Sequence, residues 1–179
     1  VDARKLKTEN MVKLPVIVYN RTSRDSVIDD AIHLRGIIEQ QAIEEEERTG
    51  KYIRPIVLFQ AQPKNNNDND TFDKVKEILL GRGIPTEQIA IKTSKVNDLG
   101  KTNLMSRDCP IRYIITVNAL KEGWDCPFAY ILASLANKTS KVDVEQILGR
   151  ILRQPYARKH GAKLLNSSFV LTCSNAFHD

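Results

Sequence analysis

Short apolar runs of strand length recur along this chain, and they are apolar at consecutive positions rather than at alternate ones. Residues 55–60 (Pro-Ile-Val-Leu-Phe-Gln), 112–117 (Arg-Tyr-Ile-Ile-Thr-Val) and 129–135 (Ala-Tyr-Ile-Leu-Ala-Ser-Leu) carry the pattern most clearly. A strand with one wet face alternates apolar and polar side chains. A strand covered on both faces does not, and such strands belong to parallel sheets flanked by helices. Residues 14–19, 89–91 and 168–172 read as further strands.

The segments between these runs read as helices and turns. Residues 26–48 place Val27, Ile28, Ile32, Leu34, Ile37, Ile38, Ala42 and Ile43 at helical spacing. The acidic run Glu44 to Glu47 at its end reads as a solvated helix face. A polar stretch at 65–70 leads to a second helix that Asp70 or Thr71 can cap, that runs to Leu80, and that Gly81 or Gly83 can end. Residues 142–152 form a third helical pattern, stopped by Pro155. Alternation of strand and helix predicts an α/β fold with a mainly parallel sheet. The division expected is a lead-in strand and long helix over 1–50, packed on a domain over 51–179. The first residues lack an initiator Met and the last show no stop for the fold, so the chain reads as a piece of a longer protein.

Composition narrows the functional classes. The 179 residues hold 27 Lys and Arg against 22 Asp and Glu, a net charge of +5. That balance permits a polyanionic partner without requiring one. The three cysteines, Cys109, Cys126 and Cys173, are widely spaced and form no Cys-x-x-Cys pair. They read as neither a disulfide framework nor a zinc site, and fit a reducing, cytoplasmic setting. No apolar run approaches the ~18 residues of a membrane span. His33 and His178 lack the spacing of a ligand pair.

Two stretches concentrate residues suited to chemistry. In Gln146-Ile-Leu-Gly149-Arg150-Ile-Leu-Arg153 the polar members and the glycine fall at i, i+3, i+4 and i+7 and share one helical face. A mid-helix glycine costs ~1 kcal/mol against alanine, so Gly149 points to close approach by something large. Two guanidinium forks beside it match phosphate oxygens in pairs. A solvated basic stripe on an amphipathic helix satisfies the same spacing. The second stretch, Val117-Asn118-Ala-Leu-Lys-Glu-Gly123-Trp124-Asp125-Cys-Pro127, follows a strand directly. Ligands of open parallel sheets bind at that position. Gly123 allows backbone approach, and Asp125 suits sugar hydroxyls. A plain turn built on Asp and Pro is the alternative. Basic residues also gather at Lys92, Lys95, Lys101 and Arg107, and at Arg158, Lys159, His160 and Lys163, where they could follow phosphates. Leu99-Gly100-Lys101-Thr102 imitates a phosphate loop, but Lys95 stands where its first glycine is required.

Taken in order, strand, Gly-Trp-Asp-Cys-Pro, strand, Gln-x-x-Gly-Arg-x-x-Arg resembles motifs V and VI of superfamily 2 helicases. Over residues 55–173 the chain is most similar to the restriction (Res) subunit of type III restriction-modification enzymes, with 55–62 in the place of motif IV. The resemblance implies a RecA-like three-layer α/β/α fold, the second of the two RecA-like domains of an ATP motor. It implies ATP with Mg2+, held mainly by a first domain that carries the phosphate loop. On this chain it implies arginine fingers at Arg150 and Arg153 and a cleft residue at Gln146. Gly123, Asp125 and Gly149 would line the nucleotide, and Thr116 and Asn118 would contact the DNA backbone. No metal ligands are expected here. The implied partners are double-stranded DNA, the N-terminal RecA-like domain and a methyltransferase (modification) subunit. The parent would be an ATP-dependent endonuclease, whereas this chain, without phosphate loop or nuclease motif, would be silent alone. A repair or recombination helicase with the same motor, or a non-catalytic RecA-like nucleic-acid-binding module, would share these features.

Overall fold

A computed structural model of the chain describes residues 16–21, 23–61, 71–93, 95–100, 102–117, 126–135, 139–140, 146, 165, 167–173 and 177–178. Strand β1 (Val16–Arg21) comes first, then helix α1 (Arg24–Thr49), β2 (Ile56–Gln60), α2 (Phe72–Gly81), β3 (Ile89–Lys92), β4 (Tyr113–Thr116) and β5 (Ala129–Ser134). The two-residue β6 (Thr139–Ser140), β7 (Ser168–Cys173) and the two-residue β8 (Phe177–His178) follow. Six strands form one sheet in the order β1-β7-β5-β2-β4-β3, and every pairing in it is parallel. β6 and β8 pair separately. The fold is the α/β, RecA-like three-layer arrangement, and β1 is part of the main sheet as an edge strand beside β7.

The helices obey local rules. Ser23 takes extended backbone and its hydroxyl accepts from the Ser26 N–H at 3.1 Å, closing the start of α1. Gly50 ends it at φ 76°, a left-handed conformation that costs other residues strain, and its N–H reaches the Glu46 carbonyl at 2.7 Å. Thr71 precedes α2 without a side-chain cap bond. The turn beyond α2 passes through Gly83, at φ 86°.

The steps β1 to β2 and β2 to β3 cross the sheet in the same direction, so right-handed crossovers lay α1 and α2 on one face. Arg82 after α2 pairs with Asp29 of α1 at 2.7 Å, as that arrangement requires. On this face Arg35 of α1 donates to the Tyr113 hydroxyl at 3.1 Å and stands over its ring, which stacks on Phe59 at 6.3 Å between centroids. Leu58, Ile114, Leu132 and Val170 point to the opposite face and are as fully buried, so both faces of the sheet are covered.

The acidic run at the end of α1 is solvated at Glu44 and Glu47, as the sequence suggests, and departs from that expectation at Glu45 and Glu46. Glu45 is buried and pairs with Arg48. Glu46 bridges Arg54, at 3.0 Å, and Arg107. Those two guanidinium groups stand over the Tyr52 ring at 4.6 and 4.7 Å from its centroid. The bond from Arg107 holds the Glu46 carboxyl below its usual 4.5, against the opposing effect of burial, and Arg54 lowers it further. A depressed folded-state pKa means the stabilisation is complete above pH ~4.5 and is lost as pH falls through the folded value. Glu46→Gln is therefore expected to lower the urea midpoint at neutral pH, with the deficit narrowing below pH 4.5. A deficit unchanged from neutral to strongly acid pH would show that charge pairing at Glu46 contributes nothing.

Candidate functional site

Parallel register lines up one residue from each strand of the main sheet at its carboxyl end. Lys92 pairs with Thr116, Thr116 with Gln60, Gln60 with Ser134, Ser134 with Thr172 and Thr172 with Asn20. All six are polar. The row immediately before it, Ala90, Ile114, Leu58, Leu132, Val170 and Val18, has no oxygen or nitrogen in any of its side chains. Residues in register point to the same face, and successive residues to opposite faces. The polar row therefore faces away from α1 and α2, three positions beyond the row of Tyr113.

This row lies where the chain changes direction. From β2 the chain moves towards β3 at one edge, and from β5 towards β7 near the other. Connections that diverge from neighbouring strands open a crevice between their carboxyl ends, the ordinary ligand position of an open parallel sheet. Gln60 and Ser134 are the in-register residues on its two sides.

The row is unevenly satisfied. The Thr172 hydroxyl donates to Asn20 Oδ1 at 3.3 Å. Thr116 is 0% exposed and its Oγ1 has no hydrogen-bond partner, and the buried Oε1 of Gln60 has none either. Buried polar atoms are nearly always paired, so two orphans in register on adjacent strands, ~4.8 Å apart, mark a place where a further polar group belongs.

Of the residues singled out from the sequence, Thr116 closes β4 inside this row. Gln146 is helical and exposed. Asn118, Gly123, Asp125, Gly149, Arg150 and Arg153 lie outside the described residues, as do Lys101 and the basic group at 158–163. The remaining members of the first basic group do not converge. Lys92 closes β3 and Lys95 follows it, whereas Arg107 is turned to Glu46 and Tyr52 before the amino end of β2. The imitation phosphate loop is a turn, in which Asn97 Oδ1 accepts from Gly100 N–H at 3.1 Å and Leu99 carbonyl from Thr102 N–H at 2.8 Å. Gln60, Ser134 and Thr172 escape sequence reasoning because each is a single polar residue at the end of an apolar run.

The described residues suit neutral hydrogen bonding at the carboxyl edge, the chemistry of a sugar or amide. Among them no group of three His, Cys, Asp or Glu side chains could hold a metal ion. No described helix is long and apolar enough to cross a membrane. No protein-family model matches the chain, and no curated protein matches it.

Proposed function

We propose that the chain is the second RecA-like motor domain of an ATP-dependent DNA translocase, the Res-type subunit of a type III restriction-modification endonuclease. One observation carries the reading. The stretch containing Gly123 and Asp125 follows β4, and the stretch containing Arg150 and Arg153 follows β5. Both strands flank β2, so the carboxyl ends of β4 and β5 lie at the same edge of an all-parallel sheet, two strand spacings apart, ~10 Å.

In this role the domain supplies positioning and charge. Arg150 and Arg153 reach towards the γ-phosphate of ATP held by a partner domain, and Gln146 shares that cleft. Gly123 and Gly149 permit close approach, and Asp125 meets the ribose. ATP with Mg2+, when bound, supplies the phosphoryl group whose hydrolysis drives the cycle. Guanidinium groups delivered from a second domain make hydrolysis depend on closure, and closure and reopening then move the motor on double-stranded DNA. Asn118 and the basic group at 158–163 contact the DNA backbone, a methyltransferase subunit reads the site, and the enzyme works in the cytoplasm.

A half-site cannot turn over. The chain alone, with duplex DNA and ATP, is expected to show no ATPase above background in a steady-state phosphate-release assay. Robust turnover would sink the reading.

A further inference from the structure

The orphaned atoms of Gln60 and Thr116 have a meaning that does not depend on the motor reading. The two residues are in register on β2 and β4, their side chains face the same side, and neither Gln60 Oε1 nor Thr116 Oγ1 has a hydrogen-bond partner. Beneath them lie Leu58 and Ile114, both fully buried and unable to bond. A threonine hydroxyl gives one hydrogen bond and accepts others. A glutamine amide offers an acceptor in one orientation and a donor in the other. Between two such groups fits a neutral group that both donates and accepts, the size of one hydroxyl.

We propose that Gln60 and Thr116 form a two-point seat for a single hydroxyl group at the carboxyl ends of β2 and β4. The hydroxyl comes either from a bound water or from the sugar of a nucleotide in the adjacent crevice. Thr116 then acts from inside the sheet, at the root of the segment that leaves β4, and not as a direct contact to a nucleic-acid backbone. Filling the seat ties β2 to β4 at the edge where the crevice opens.

A shared seat makes the two residues interdependent. Thr116→Val keeps the shape and removes the hydroxyl, Gln60→Met keeps the length and removes the amide, and Thr116→Ser restores a hydroxyl. Thermal midpoints of the full chain are measured for these variants and for the Thr116→Val, Gln60→Met pair, without nucleotide and with ATP added. If water fills the seat, each single change lowers the midpoint by about 2–4 °C, as expected for one lost interaction in a chain of this size. The pair then falls no further than the worse single change, Thr116→Ser recovers most of the loss, and ATP alters none of this. If a sugar hydroxyl fills it, the same non-additivity appears only with ATP and disappears with the 2′,3′-dideoxy nucleotide. Additive effects in both conditions, or no effect in either, overturn the seat, because residues without a common partner do not couple. Neither result bears on Arg150, so failure of the seat and failure of the motor reading are separate observations.

Discussion

On the proposed motor reading, Arg150→Ala in the parent protein is expected to lower ATP hydrolysis by ~10³–10⁵, the range for removing an arginine finger, while ATP binding stays within a few-fold. That loss corresponds to ~4–7 kcal/mol of transition-state stabilisation. Its size follows from what the guanidinium does. In phosphoryl transfer, charge builds on the transferring group and the attacking and leaving oxygens, and little covalent help is available. A planar fork of N–H donors meets those oxygens in pairs, in a cleft emptied of water, where charge interactions are strongest. The ground state gains less, so turnover falls far more than affinity. Spacing puts Arg150 four residues beyond Gln146, on the same helical face, and Gln146 is helical and exposed. Arg150→Lys should recover only part of the loss, since an ammonium is a point charge without the fork. Single-turnover hydrolysis and nucleotide titration separate the two quantities. Hydrolysis unchanged in Arg150→Ala would remove this residue from the site, and equal losses in binding and hydrolysis would make it a ground-state contact.

The sheet was legible because its strands are buried on both sides. Burial of both faces removes alternation, so β2, β4, β5 and β7 stand out as apolar runs within a residue or two of their ends. Their order across the sheet was not legible, because nothing in one strand names its neighbour. For the same reason the polar row was missed. Gln60, Ser134 and Thr172 look like ordinary ends of separate strands, and only register brings them together. At Glu46 the acidic end of α1 was misread for a related cause: it finds Arg54 beyond the helix and Arg107, 61 residues away, and a run of like charges gives no sign of them. β6 and β8 were missed because two residues carry no periodicity. The meaning of Thr116 also changes with its setting. A threonine after an apolar run reads as a contact at the sheet's edge, yet its hydroxyl is enclosed.

Phe59→Ala should be the most damaging single truncation in the core, costing ~3–5 kcal/mol, the range for removing a buried phenylalanine. Phe59 lies on β2, between β4 and β5 in the middle of the sheet, and is 0% exposed. Its ring stacks on Tyr113, and Tyr113 takes the hydrogen bond and the guanidinium of Arg35 from α1. Removing the ring leaves a void in a close-packed interior and frees Tyr113 to move, which loosens α1 on the sheet. Domains of this size are stable by only ~5–15 kcal/mol, so this loss is about a fifth of the total or more. The thermal midpoint should drop by roughly 6–20 °C, at 2–4 °C per kcal/mol. Phe59→Leu should lose much less, because most of the volume stays. Val18→Ala, on the exposed side of the edge strand β1, should stay within ~0.5 kcal/mol of the parent chain. Urea unfolding of the three variants tests the ranking. A cost below about 1 kcal/mol for Phe59→Ala would mean that the stack on Tyr113 is not what holds α1 to the sheet.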